Sequence, residues 1–367
     1  MWVFFLRVTV VHSSISNSSD RLPQQALKRT FLVGMAIAVL LLMVVELRLR
    51  QIGFEPTVQD SKELWATERS KATLLGKQAL ILVGDSRMQL DMDLDVLAAT
   101  TGLTPVQLAI DGSEFLPVLA DLAADESITG TVLVSGDVWK LVEKPHTDRA
   151  NEWIDFYHRE YQALVAPKLE TLLKSQVQQW SALYASGMPA SDLLIRLITP
   201  GKVRPLYLST KPNRQRDADY QLVEQPLFYI QRVLRNLGQA VDLTKVASEA
   251  EFERLVIDAL QRSAPTRYTP EQFFYVNRLS DRILDRGGKI AFISFPMTGL
   301  IFAIDEHRSP RQFGWDVFAA HSRAITLNAQ DYPALHFALP DGSHLDVRDK
   351  QAFTERLVSG LKAKAVF

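Results

Sequence analysis

The chain contains no cysteine, which sets the first limits on its chemistry. Disulfide bonds, thiolate catalysis and cysteine-based zinc sites are excluded. An excess of charge of either sign is also missing, because 41 lysine and arginine residues face 42 aspartate and glutamate residues. This balance gives no reason to predict a nucleic acid as partner. The length of 367 residues is sufficient for one large domain or two ordinary ones.

Charged residues are absent from one long apolar run, residues 31–45. Extended to residue 49, the run reaches the roughly 20 residues that a bilayer requires. It lacks the polar stripe of a core helix and is followed by no Ala-x-Ala cleavage site. We therefore predict an uncleaved transmembrane signal anchor at 30–49, between a flexible N-terminal region (1–29) and a tether (50–77), which is either extended or a helix that leads to the domain. Basic residues flank the run on both sides, so charge bias alone does not fix its orientation.

Short apolar runs that alternate with helical patterns predict an α/β domain over residues 78–367 with a parallel sheet. Strands are expected near 79–83, 105–110, 131–135, 289–295 and 335–339. Residues 150–285 break this alternation and have helical spacing, which predicts a helical insertion. The aromatic residues of the insertion can either stack on sugar rings or, as we favour, pack in the core: Trp153, Phe156, Tyr157, Tyr161 and Trp180.

Two short strings carry the residue types of nucleophilic catalysis. Gly84-Asp85-Ser86-Arg87 follows the strand at 79–83, and Asp341-Gly342-Ser343-His344 follows the strand expected at 335–339. Open α/β sheets gather their functional residues at the carboxyl ends of the strands. A serine, a histidine and an aspartate are the set that makes a hydroxyl nucleophilic. We therefore expect the two strings to meet in space, with the Ser86 hydroxyl within hydrogen-bond reach of the His344 ring.

The order and spacing of these strings resemble the SGNH (GDSL-like) hydrolase superfamily. The resemblance implies a flavodoxin-like parallel sheet and no cofactor or metal ion. It makes Ser86 the nucleophile, His344 the general base and Asp341 the residue that orients the imidazole. It also implies an oxyanion hole built from Ser86, Gly112 and a residue after the third strand.

The chain departs from the family pattern at that third position. The family has an asparagine in a Gly-x-Asn-Asp string, whereas this chain reads Ser135-Gly136-Asp137-Val138. Asp137 is the nearest candidate, but an ionised carboxylate accepts hydrogen bonds and cannot donate them. Arg87, directly after the nucleophile, is a candidate for holding an anionic or carbonyl group of the substrate. An ion pair explains Arg87 equally well.

Three alternating aspartates follow the first string: Asp91, Asp93 and Asp95. Acidic side chains are favourable in the first turn of a helix. A calcium loop would also need a glycine and a distal glutamate that do not complete the pattern here. We predict that the three aspartates open the helix that follows Ser86.

Anchored SGNH proteins of this shape resemble the alginate O-acetylation and D-alanine transfer proteins. The resemblance implies a serine O-acyltransferase or esterase that acts on an exported polysaccharide or envelope glycan. It places the anchor in the inner (cytoplasmic) membrane and the domain in the periplasm, beside a multispanning membrane acyltransferase as partner. The alternative is a catalytically inactive assembly protein of a polysaccharide acylation or export complex.

Overall fold

The computed structural model describes residues 24–142, 149–199, 201, 203–238, 246 and 248–367. The chain divides into two compact units, one ending at Arg48 and one running from Leu49 to Phe367. Most of the predicted flexible N-terminal region lies outside the described residues, because the description begins at Gln24.

The first described element is a long apolar helix, α1 (Gln24–Gln51). Its segment Leu27–Gln51 has 25 residues, and the most apolar window within it has a mean hydropathy of 2.5 and is not buried at all. A span of this length at 1.5 Å per residue exceeds the roughly 30 Å of a hydrocarbon core. The helix is therefore long and apolar enough to cross a membrane, and the predicted anchor at 30–49 falls within it.

The second unit is built on a parallel sheet, which confirms the predicted α/β class. Within the described residues the sheet has five strands in the order β2-β1-β3-β6-β7, and two further strands form an antiparallel pair. The strands are β1 (Ala79–Val83), β2 (Thr104–Gln107), β3 (Thr131–Ser135), β4 (Leu208–Thr210), β5 (Arg216–Ala218), β6 (Lys289–Ser294) and β7 (Ile325–Asn328). In the register of the central strands, Leu82 pairs with Gln107 on one side and Leu133 on the other.

The strand expected at 335–339 does not form. The fifth strand is β7, and the expected segment is a short 3-10 turn, Pro333–Leu335, followed by irregular chain. Leu335 and Leu339 are nevertheless buried in the core. A short apolar run indicates burial but not conformation, and here prolines at 333 and 340 flank the segment on both sides.

Helices cover both faces of the sheet. Successive side chains of a strand point to opposite sides, and the strands are apolar on both sides, so both faces are buried. Ile81 and Val83 pack in one core with Trp65, whereas Leu80 and Leu82 pack in the other with Phe353. After α1, the helices are α2 (Lys62–Leu75), α3 (Ser86–Leu90), α4 (Leu94–Thr101), α5 (Leu116–Ala124), α6 (Arg149–Phe156), α7 (Ala166–Trp180), α8 (Ala190–Ile198), α9 (Leu227–Leu237), α10 (Glu249–Leu260), α11 (Phe274–Asp285), α12 (Gly299–Arg308), α13 (Trp315–His321) and α14 (Lys350–Ala363).

The segment expected to be a tether is largely a core helix of the domain. Ser61 caps α2 by accepting a hydrogen bond from the Leu64 N–H, and Trp65 is fully buried. The Trp65 indole N–H donates to the Leu108 carbonyl over 3.0 Å, and Arg69 forms a buried ion pair with Asp121 at 2.5 Å. Residues 62–75 therefore belong to the α/β unit, and the polar composition that suggested a tether reflects buried ion pairs.

The segment inserted into the α/β core is shorter than the predicted 150–285, and it contains strands as well as helices. The first helix of the predicted range, α6, and its last, α11, pack in the same core as the sheet, and it contains the β4–β5 pair. Four of its five singled-out aromatics are buried in that core: Trp153, Phe156, Tyr157 and Tyr161. Only Trp180 is exposed, so core packing was the right interpretation for the other four.

Candidate active site

Ser86 lies where β1 gives way to α3, at the carboxyl edge of the sheet. Gly84 makes the turn possible, because a Cβ there would come within 2.9 Å of the Ser135 carbonyl oxygen. Asp85 caps the helix by accepting a hydrogen bond from the Arg87 N–H over 3.1 Å. Since Ser86 is the first helical residue, its own N–H has no intrahelical acceptor. The side chain and this N–H are both available to a substrate.

The second string forms a tight loop around one carboxylate. Asp341 Oδ1 accepts hydrogen bonds from the backbone N–H groups of Ser343 (2.9 Å) and His344 (2.8 Å). Its other oxygen, Oδ2, faces His344 Nδ1 at 2.7 Å. Burial alone would raise the pKa of the Asp341 carboxyl, but the His344 ring outweighs it and holds the pKa well below its usual range. Asp341 is therefore ionised beside the imidazole.

The structure brings Ser86, His344 and Asp341 together in one hydrogen-bonded line. His344 Nε2 lies 2.8 Å from Ser86 Oγ, although 258 residues separate them. The carboxylate at Nδ1 favours the tautomer with its proton on that nitrogen, so Nε2 is free to accept the Ser86 hydroxyl proton. The histidine and aspartate side chains are almost fully buried, and Ser86 is partly exposed. This geometry suits a nucleophile, a base and an orienting acid.

Side chains outside the two strings support the loop, and sequence reasoning did not find them. Arg232 Nη2 donates to Ser343 Oγ over 3.0 Å, and its Nε lies 3.7 Å from Asp341 Oδ2. Tyr220 lines the same small cavity as Asp341, and burial together with the Asp341 charge raises the pKa of its hydroxyl. Arg232 and Tyr220 come from the insertion at no fixed spacing from either string, so no signal in the sequence pointed to them.

The three aspartates after Ser86 have separate roles rather than one. Asp93 caps α4 through the N–H groups of Asp95 and Val96. Asp91 is buried, and its Oδ1 accepts from the Leu345 N–H, next to His344, over 2.9 Å. Burial raises the pKa of the Asp91 carboxyl to about 7. Only Asp93 and Asp95 behave as predicted, and Asp91 holds the histidine loop instead.

Gly112 and Asp137 both line the cavity beside Ser86, but only Gly112 can donate. Gly112 has φ of +68°, a left-handed conformation that favours glycine, and a Cβ there would meet open space. The Asp137 carboxylate instead accepts from Arg87 Nη2 over 2.5 Å. Asp137 is therefore an ion-pair partner and not the third donor of an oxyanion hole.

Arg87 takes part in a buried charge network rather than a surface ion pair. Its Nη2 also lies 3.2 Å from Asp85 Oδ2, which accepts from Lys140 Nζ over 2.6 Å. Burial by itself would raise the pKa of Asp85, but Lys140 and Arg87 lower it far below its usual range. Because its guanidinium also lines the cavity, the ion pair and a substrate contact remain compatible.

Two cavities open on Ser86. The larger, of about 330 Å³, lies towards Gly112, Lys140 and Asp305. Burial, reinforced by the charge of Asp137, raises the pKa of Asp305 to about 7. The smaller, of about 130 Å³, lies towards His344 and is walled by insertion residues: Tyr207, Leu208, Tyr220, Phe228, Gln231, Arg232 and Arg235. Cavities of this combined size are typical of sites that bind small molecules.

Comparison with known proteins adds no assignment. No family model matches the chain. No curated protein matches it either. What the protein does must therefore be inferred from the site itself.

Proposed function

We propose that the protein is a membrane-anchored serine O-acyltransferase or esterase of the SGNH type. The observation that carries the proposal is the line from Ser86 Oγ through His344 to Asp341, with hydrogen-bond distances of 2.8 and 2.7 Å. The order of the sheet strands, 2-1-3-4-5 when counted along the chain, is that of flavodoxin-like sheets and supports this fold assignment.

The first half of the reaction forms an acyl-enzyme. His344 Nε2 takes the hydroxyl proton while Ser86 Oγ attacks the carbonyl carbon of an ester. Asp341 stabilises the imidazolium, and the N–H groups of Ser86 and Gly112 donate to the oxyanion. The tetrahedral intermediate collapses, the C–O bond to the leaving alcohol breaks, and that alcohol takes the proton from His344. Ser86 then carries the acyl group.

The second half decides between the two reactions. His344 removes a proton from the incoming hydroxyl, which attacks the acyl carbon, and the proton returns to Ser86 Oγ as the product leaves. Water as the attacking group makes the protein an esterase, and a sugar hydroxyl makes it an acyltransferase. The insertion supplies much of the smaller cavity wall, which supports an acceptor larger than water.

The location and partners form the outer part of the proposal. Helix α1 can cross a bilayer, and we propose that it anchors the domain on the periplasmic face of the inner membrane. The substrate would then be an exported polysaccharide or envelope glycan, and a multispanning membrane acyltransferase would supply acyl groups. These assignments rest on the resemblance to the alginate O-acetylation and D-alanine transfer proteins.

A catalytically inactive assembly protein is the second candidate, and one observation favours it. Asp137, in the position of the family asparagine, is committed to Arg87 at 2.5 Å and gives no third oxyanion donor. The aligned Ser86, His344 and Asp341 favour the enzyme, because a silent protein has no need to keep a base within 2.8 Å of a serine hydroxyl.

Covalent labelling with a fluorophosphonate probe tests the proposal. Wild type should be labelled at Ser86, and Ser86→Ala and His344→Ala should react at least about 100-fold more slowly, because nucleophile and base act as one unit. His336→Ala is the matched control, since His336 is exposed and lies outside both cavities. Thermal melting shows whether each variant is folded. Folded wild type that resists the probe, or labelling that survives Ser86→Ala, would refute the assignment.

A further inference from the structure

Helix α7 exposes its large apolar side chains, and the two residues that it buries are both polar. Ser175 and Gln178 are buried, and the Gln178 side-chain oxygen accepts from the Gln59 N–H over 3.0 Å. The opposite face exposes more than half of the surface of each of its large apolar residues: Leu169, Leu172, Leu173, Val177 and Trp180. A surface helix in water has the reverse arrangement. The exposed face of α7 therefore favours contact with an apolar environment over contact with water.

Helix α8 also exposes apolar side chains, although the residue that it buries is itself apolar. Leu193 alone is buried, whereas Leu194, Ile195 and Ile198 are exposed on the outer side, Ile198 at 83%. Soluble monomers rarely expose contiguous apolar patches larger than a few hundred Å² unless these serve an interaction. We call the exposed residues of both helices the apolar surface: Leu169, Leu172, Leu173, Val177, Trp180, Leu194, Ile195 and Ile198.

Contacts within the second unit join the apolar surface to the end of the candidate span and to the residues that follow it. Arg50 Nη2 donates to the Trp180 carbonyl over 2.7 Å, at the end of α7. The Ser186 N–H, in the connection from α7 to α8, donates to the Thr57 carbonyl over 2.8 Å. Arg50 lies in the last turn of the candidate span Leu27–Gln51. When that span crosses a bilayer, Arg50 and the backbone bonded to it lie at the membrane surface.

We propose that the apolar surface of α7 and α8 lies on the bilayer, inserted among the lipids around the end of α1. The exposed Trp180 and Tyr184 fit this position, because Trp and Tyr are enriched at membrane–water interfaces. Interfacial helices with one apolar face lie in the plane of the membrane in this way. The inference rests on the proposed membrane anchoring and is independent of the proposed chemistry. It makes the insertion a second membrane contact that limits how far the active site can move from the lipid surface.

Single-cysteine labelling of the full-length protein tests the inference, and the cysteine-free chain needs no prior substitutions. Leu172→Cys and Ile195→Cys report on the apolar surface, and Leu42→Cys reports on the span. Glu355→Cys is the control, because Glu355 is exposed on α14, which packs on the face of the sheet opposite α2. Each variant carries a fluorophore and is reconstituted in lipid nanodiscs. Quenching is measured with nitroxide-labelled lipids and with aqueous iodide.

Interfacial helices bury their apolar face by about 5–10 Å, so lipid quenching at 172 and 195 should exceed that at 355 by at least about twofold. Iodide should show the reverse order. If position 42 is quenched by lipid but 172 and 195 respond only to iodide, the apolar surface faces water and the inference is wrong while the anchoring stands. If position 42 also escapes the lipid quencher, the anchoring fails and the inference fails with it. Protection from both quenchers at 172 and 195 would mean that a protein surface covers them, which also refutes the inference.

Discussion

Replacing Asp341 by asparagine tests whether the carboxylate does more than shape its loop. In the wild type, the N–H groups of Ser343 and His344 donate to Asp341 Oδ1 over 2.9 and 2.8 Å. The amide oxygen of the asparagine can accept both of these hydrogen bonds. The NH₂ group then takes the place of Oδ2, 2.7 Å from His344 Nδ1. Because an amide NH₂ only donates, His344 must accept at Nδ1 and carry its proton on Nε2. That tautomer cannot accept the Ser86 proton.

The size of the loss follows from the same distance. A full charge pair at 2.7 Å with an effective dielectric constant near 20 interacts by about 6 kcal/mol. The neutral amide removes this stabilisation of the imidazolium that forms as Ser86 attacks. At about 1.4 kcal/mol for each factor of ten, the rate should fall by about four powers of ten. The Asp-to-Asn change in Ser-His-Asp proteases has about this effect.

The assay measures kcat/KM for a small acetyl ester such as p-nitrophenyl acetate, and the rate of fluorophosphonate labelling. Asp349→Asn is the matched control, because it removes the same charge eight residues along from a side chain outside both cavities. Melting temperatures and circular dichroism establish that the loop and fold persist. Asp341→Asn that remains folded and keeps activity within tenfold of wild type would refute the assignment of Asp341 as the orienting acid.

Two further substitutions probe the groups around the triad. Since the pKa of buried Asp91 is raised to about 7, its ionisation should make the folded state less stable as pH rises from about 4 to 8. The unfolding free energy of wild type relative to Asp91→Asn should therefore fall by a few kcal/mol, at about 1.4 kcal/mol per pKa unit, and a flat difference in denaturant titrations would contradict the reasoning. Gly112→Ala should cost about 1–2 kcal/mol of stability because of the left-handed φ, without any clash. It should also lower kcat/KM by disturbing the N–H that we propose as an oxyanion donor. Unchanged stability and activity in urea titration and ester hydrolysis would remove Gly112 from the site.

The sequence was sufficient to find Ser86 at the end of a strand and to identify the three residues that form the line, although the strand expected before Asp341 does not form. Gly84 and Ser86 could be found from their neighbours in the chain. A sharp strand-to-helix turn needs a small residue, and Ser86 follows the buried run by only a few positions. The long apolar helix was equally predictable, since length and hydropathy define a candidate span without tertiary contacts. Features of this kind depend on neighbours in the chain.

The parts that could not be predicted depend on partners far apart in the chain. Arg69 is buried in the core because it pairs with Asp121, which lies 52 residues further along the chain. Without knowledge of that partner, the polar composition of this segment predicts a tether. Arg232 reaches Ser343 across 111 residues from the insertion. The fifth strand of the sheet is β7 and not the segment 335–339. Both segments bury apolar residues, and only the backbone pairing of β7 with β6 distinguishes them, which the sequence does not show.

The departure at Asp137 is best understood together with Arg87. Buried charges are tolerated when they are paired, and the network under the nucleophile pairs two acids, Asp85 and Asp137, with two bases, Arg87 and Lys140. An asparagine at 137 would leave the 7%-exposed Arg87 with one carboxylate that it already shares with Lys140. The Asp137 carboxylate therefore neutralises the Arg87 cation beside Ser86. In the proposed reaction, Asp137 therefore serves Arg87, and the oxyanion would be stabilised by the N–H groups of Ser86 and Gly112, each worth about 3 kcal/mol.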